Sequence, residues 1–165
     1  PFDFWIVRKI SVPWQPEFAI GAMAEDGYIY LNTEIIESMG ISESSLNAIV
    51  EKTTLEIKER IFMYRGAQMR AAIEGRDVII VDDGVATGAT VYAAAGSVRN
   101  YSPGKIIMAT PVVSHEALEL LKGMVDQEVH VIEPDNFIAV GEWYDEFNQV
   151  TDEEVLHMLS KTPEP

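Results

Sequence analysis

The chain contains no cysteine, so neither disulfides nor thiolate chemistry enter any account of it, and a cytoplasmic location is compatible with that absence. It is also poor in positive charge. Twelve Lys and Arg stand against 27 Asp and Glu, for a net charge of −15 and a pI near 4.4. A nucleic-acid-binding face needs a basic surface, and none can be assembled here. No run of 18 apolar residues occurs, so no membrane-spanning helix is expected. There is no Gly-Lys-Ser/Thr, and Ala89 stands where a P-loop would need its lysine. None of the three histidines, His115, His130 and His157, belongs to a Ser/His/Asp arrangement or to metal-ligand spacing. Repeats and low-complexity tracts are absent, and 165 residues suit a single domain with a central sheet.

Against that background one stretch stands out: Val78-Ile79-Ile80-Val81-Asp82-Asp83-Gly84-Val85-Ala86-Thr87-Gly88-Ala89-Thr90. The aliphatic run has the length and β-branching of a fully buried parallel strand. The Gly/Thr loop that follows lies at the carboxyl end of that strand, where open α/β sheets bind ligands. Small residues let backbone N–H groups close around an anion, and the next helix, expected over 91–98, adds its partial positive charge. Asp82 and Asp83 repel such an anion, but they can accept hydrogen bonds from a vicinal diol or hold a hydrated metal ion. Anion cradle and diol acceptors together describe a sugar-phosphate site.

The rest of the chain supplies an α/β frame. A strand is expected at Phe4–Val7, ending in Arg8-Lys9, followed by a prolyl loop over Ser11–Pro16. Segments 18–24 and 28–31 flank Glu25-Asp26-Gly27 and read as a hairpin. Asn32 or Thr33 caps a short helix ending at Gly40, and Ser42 caps a long one over 43–65. In the long helix Leu46, Ile49, Val50, Thr53, Ile57, Ile61 and Tyr64 form one apolar stripe, and Glu56–Arg60 is expected as an i,i+4 pair on the other face. Strands at 105–110 and 128–132 enclose a helix at 114–122 that starts on the cap Ser114, and a short helix closes the chain near 152–159. The order predicts a mostly parallel twisted sheet with helices on both faces, a hairpin flap, and an irregular aromatic hood segment near the carboxyl end.

The motif at 78–90 resembles the 5-phosphoribosyl-1-pyrophosphate (PRPP) motif of the type I phosphoribosyltransferases. The likeness extends nearly end to end, to an uncharacterised bacterial and archaeal branch, through Val7–Ile10, Pro16–Gly21 and Val140–Tyr144. It implies that Asp82 and Asp83 bind the ribose hydroxyls and that Ala86, Thr87, Gly88, Ala89 and Thr90 wrap the 5′-phosphate. It further implies that Arg8 and Lys9 act catalytically on the pyrophosphate side, below a closing hairpin. In the hood, Gly141 and Asp145 fit the spacing of the purine transferases; base stacking falls to Phe137, Ile138 or Trp143, and Asp145 is a candidate metal ligand. The implied activity is a Mg²⁺-requiring transfer of phosphoribose from PRPP to a nitrogen nucleophile of nucleobase type, in a cytoplasmic homodimer with no nucleic-acid or membrane partner. The alternative is a non-catalytic module that senses PRPP or a nucleotide.

Two departures qualify the resemblance. Ala86 replaces an aspartate proposed as general base in the oxopurine enzymes. The family's first strand and pyrophosphate loop, upstream of Val-Arg-Lys, are not in this sequence, so a single domain over 1–165 is expected that is N-terminally incomplete, the alternative being that another segment or subunit fills the slot of the missing strand. Phe4–Val7 and Val78–Val81 are then expected not to be neighbours.

Overall fold

A computed structural model describes residues 2–66, 70–159 and 161. Its strands form two separate three-stranded sheets. The first is an antiparallel meander, β1 (Val7–Val12), β2 (Gln15–Ala24) and β3 (Ile29–Leu31), in the order β1-β2-β3. The second is parallel, β4 (Val78–Val81), β5 (Ile106–Val112) and β6 (Gln127–Ile132), in the order β4-β5-β6. Helices α1 (Thr33–Ser38) and α2 (Glu43–Tyr64) follow the meander. Helices α3 (Ala89–Arg99) and α4 (His115–Leu121) cross between the parallel strands, and α5 (Asp152–Leu159) follows a 3-10 turn at Val140–Trp143. Asn32 and Ser42 cap α1 and α2 through side-chain bonds to the amides of Ile35 and Ser45. Among the described residues no helix is long and apolar enough to cross a membrane.

Packing follows from strand alternation. The even-numbered β1 residues Ile10 and Val12 are fully buried against Ile49 and Ile57 of α2, the expected apolar stripe. On the other side of the meander, Val7, Ala22, Tyr28 and Tyr30 meet Ala89 and Ala93 of α3. That helix is in turn buried against the parallel sheet through Val91, Ala95 and Val98. Helix α3 therefore lies between two sheets, and its small side chains are what closeness on both sides demands. At Gly96 an added Cβ would stand 2.1 Å from the Tyr28 ring. The layers run α2, meander, α3 with α4, parallel sheet.

Several expectations need correction. Strand β1 begins at Val7, not Phe4; the amide of Ile6 donates to the Glu25 carboxylate at 3.0 Å, which ends the ladder. Ser11–Pro16 is not a loop. Val12 pairs with Gln15 across a turn of Pro13 and Trp14, and Ser11 pairs with Ala19, so 16–18 form a bulge with no register partner, where proline's missing N–H costs nothing. Glu56 and Arg60 are not paired: Glu56 binds Arg8 and Lys52, while Arg60 reaches Asp152 and Tyr64. The strand at 78–81 is not buried on both faces. Val78 and Ile80 join the core, but Ile79 and Val81 are 60% and 75% exposed, and Val131 of β6 is 82% exposed on the same side. No described element covers that outer face, and the sheet's helices lie on the inner one.

The meander pairs with the parallel sheet nowhere among the described residues: β1 pairs only with β2, and β4 only with β5. Beside β4 runs a groove of about 250 Å³ whose walls include Phe2, Trp5 and Ile73.

Candidate functional site

The site is built where β4 ends. The amide of Asp82 donates to the Ala109 carbonyl of β5 at 3.3 Å, and its carboxylate accepts the Asp83 amide at 3.0 Å. Burial pushes the Asp82 carboxyl up to about 6, with the Asp83 charge adding to the shift. The Asp83 amide and the charge of Lys9 oppose it. Lys9 is therefore within electrostatic reach of Asp82.

Beyond the acids the chain is clamped to the β5–α4 junction. Val85 donates to Val112 at 2.9 Å and Ser114 donates back to Val85 at 3.0 Å. The Ser114 hydroxyl donates to the Ala86 carbonyl and accepts the Ala117 amide at 2.9 Å, so one side chain caps α4 and fixes the loop. Gly88 then takes φ +76° as the residue before α3. An added Cβ there would lie 3.2 Å from the Leu120 methyl and 3.3 Å from Ala117, in a conformation that L side chains rarely adopt. None of the amides from Ala86 to Thr90 donates to any acceptor among the described residues. Free N–H groups on a fixed loop, at the positive end of a buried helix, have the arrangement that an anion cradle needs.

The hood lies against the acids. Gly84 has no room for a side chain, since a Cβ would sit 2.4 Å from Val140. The Tyr144 hydroxyl donates to the Asp83 carbonyl at 2.6 Å, and its ring packs 5.3 Å from Phe147. Trp143 and Asp145 flank this anchor and are exposed. Phe137 and Ile138 precede it in the chain, and Ile138 is 68% exposed.

Arg8 and Lys9 are separated by the alternation of β1. Arg8 lies on the α2 side, where its guanidinium meets Glu56 at 3.1 Å; Lys9 lies on the side of α3 and Asp82. Both still line one cleft of about 1080 Å³ that wraps the free edge of β1, together with Trp14, Lys52, Glu56 and Thr90. Thr90 joins that cleft to the anion cradle. Among the described residues no group of three or more His, Asp or Glu side chains is arranged to hold a metal.

An acid pair at a strand end, an amide cradle before a helix, and a cation-lined cleft beside them agree with the outcome of sequence comparison. The phosphoribosyl transferase domain profile matches residues 33–146. The chain belongs to the phosphoribosyl transferase family. Two Mycobacterium tuberculosis proteins, of strains CDC 1551 / Oshkosh and ATCC 25618 / H37Rv, each named a "putative phosphoribosyl transferase", are 35% identical over 161 residues, or 98% of this chain. The chain spans 36% of their length. A crystal structure of TT1426 from Thermus thermophilus superposes with a TM-score of 0.73 at 39% identity, covering 95% of this chain and 74% of that one. The α/β architecture is that of the type I phosphoribosyltransferases.

The structure brings together the acids and the 86–90 loop that the sequence singles out, and sets beside them four residues that it does not, Tyr144, Lys52, Glu56 and Trp14. Tyr144 was visible only as one aromatic among several in the hood. Lys52 and Glu56 carried an i,i+4 spacing on α2, but nothing in the sequence pointed that face toward β1. Trp14 was hidden by the reading of its segment as a loop.

Proposed function

We propose that the protein transfers the phosphoribosyl group of PRPP to a nitrogen nucleophile of nucleobase type, with Mg²⁺, releasing pyrophosphate. The observation that carries this is the row of unpartnered amides at 86–90 directly beyond the Asp82–Asp83 pair. A 5′-phosphate on the amides leaves the ribose over the acids, whose oxygens accept from its hydroxyls. Charge develops on the ribose ring as the bond from the anomeric carbon to pyrophosphate breaks and the bond to nitrogen forms. Asp82 and Asp83 hold the ring in register for that displacement. Arg8 and Lys9 face the departing pyrophosphate from the edge of β1, and the hood carrying Trp143 covers the acceptor side.

The donors present suit magnesium better than a caged metal. Mg²⁺ keeps several waters and is held by one or two carboxylates together with substrate phosphates, and the acid pair and Asp145 offer single carboxylates of that kind. When bound, the ion would neutralise charge on the leaving group. Nothing in the site requires nucleic acid or a membrane; a homodimer and a cytoplasmic setting belong to the same proposal.

Incubating the full-length protein with PRPP, Mg²⁺ and a panel of bases, and measuring pyrophosphate release, tests it. Base-dependent release is expected. Tight PRPP binding without turnover for any base would instead support the sensing role.

A further inference from the structure

We propose that the outer face of α2 is a self-docking surface, on which a second copy of this chain lays its own α2 antiparallel about a two-fold axis at Leu55. The inference gives the homodimer of the preceding proposal a defined interface. Its readout is assembly, so it stands or falls apart from the transfer chemistry.

Helix α2 is the outermost layer of the molecule, and only one side of it is used. Ile49, Thr53 and Ile57 are buried against the meander, whereas Leu55 and Phe62 are 57% and 79% exposed. At about 100° per residue, Ala48, Leu55 and Phe62 fall one above another on the side turned away from Ile57. Glu51 and Lys58 flank this seam on one side, Lys52 and Glu59 on the other, and all four are exposed. Their spacing is the second observation. Glu51, Lys58 and Glu59 each lack an oppositely charged residue three or four positions away, and none enters an ion pair among the described residues. Lys52 reaches Glu56 only at 3.8 Å.

A second copy supplies the missing partners. Antiparallel pairing at Leu55 sets that residue on its own counterpart and Phe62 on the partner's Ala48. The same symmetry keeps matching flanks together. With a rise of 1.5 Å per residue, Glu51 lies about 6 Å from the two-fold along the helix, and the partner's Lys58 lies about 4.5 Å from it in the same direction. Lys52 meets the partner's Glu59 in the same way. Each pair occurs twice, so four opposite-charge contacts enclose the apolar seam. Parallel pairing would also join opposite charges, but it would press Phe62 on Phe62 at one end and Ala48 on Ala48 at the other. The antiparallel arrangement sets large against small and keeps the helices evenly spaced. One helix pair buries less than a permanent dimer does, so the association is reversible and salt-sensitive.

Sedimentation equilibrium of the full-length protein tests this. Wild type should dimerise reversibly at roughly 100 µM. Glu51→Lys should raise the dissociation constant about tenfold, and adding Lys58→Glu should restore it, whereas a parallel pair would weaken further. Phe62→Glu should abolish the dimer with helix content unchanged, since the position is on the surface. Leu55→Cys should give a disulfide-linked dimer on oxidation, because helix axes about 8–10 Å apart bring the two Cα atoms within bridging range. Phe62→Cys should not. A monomeric wild type, a dimer indifferent to Phe62→Glu, a double charge variant weaker than Glu51→Lys alone, or cross-linking through Phe62→Cys would each overturn the inference. All four outcomes leave the phosphoribosyl reading to be decided by pyrophosphate release.

Discussion

The amide cradle at 86–90 and the cation cleft at the edge of β1 create positive potential in opposite ways. The cradle uses backbone. Its N–H groups are fixed by Val85, Ser114 and the left-handed Gly88, and none of its side chains is charged. The cleft uses long side chains, Arg8, Lys9 and Lys52, two of them held by Glu56. In a chain of net charge −15 both devices act locally, inside the field of its own acids, which is what the proposed polyanionic substrate requires. The difference is one of preorganisation: fixed dipoles give geometry, whereas solvated cations give adaptable charge.

The largest effect should come from breaking the fixed side. Gly88→Val forces a β-branched residue into φ +76° against Leu120 and Ala117. It should abolish binding of a nucleoside monophosphate and destabilise the fold by about 1–3 kcal/mol, as calorimetry and thermal unfolding would show. Gly88→Ala should do the same more mildly.

Next come the acids. Asp82→Asn with Asp83→Asn should cost a ribose-5-phosphate ligand roughly 3–6 kcal/mol in affinity, through two lost charge-assisted bonds. The Asp82 carboxyl, raised to about 6, makes a separate claim about stability. A folded state that holds this proton more tightly than the unfolded chain loses stability as pH rises from about 4 through about 6, and bears the full penalty above that. Asp82→Asn alone should therefore stabilise the ligand-free protein at pH 7 by ~1–3 kcal/mol, with the gain shrinking toward pH 4. Urea melts at both pH values check it; equal effects at pH 4 and 7 would remove burial of the charge as the cause.

The smallest effect belongs to the hood. Tyr144→Phe removes the bond to the Asp83 carbonyl, worth about 1 kcal/mol, and keeps the ring against Phe147. It should raise the KM for the acceptor severalfold and leave monophosphate binding within about twofold, as steady-state kinetics with calorimetry would separate.

What the sequence revealed divides along the same line. The cradle was legible because strand, acids, loop and helix are contiguous, and each residue type is dictated by its own backbone. The α2 stripe, its Ser42 cap and the Glu25–Gly27 hairpin were legible for the same local reason. The cleft was not. It depends on a register shift that turns Ser11–Pro16 into strand and turn, and on packing that points Glu56 at Arg8 instead of Arg60. Nor could an aliphatic run disclose that Ile79 and Val81 face outward, because periodicity cannot distinguish a strand covered on one side from one covered on both.

The most direct test of the cradle is a crystal structure with a nucleoside monophosphate bound. The account requires phosphate oxygens within hydrogen-bonding distance of the amides of 86–90, with the ribose hydroxyls on Asp82 and Asp83. A phosphate seated on Arg8 and Lys52, with the loop empty, would contradict it.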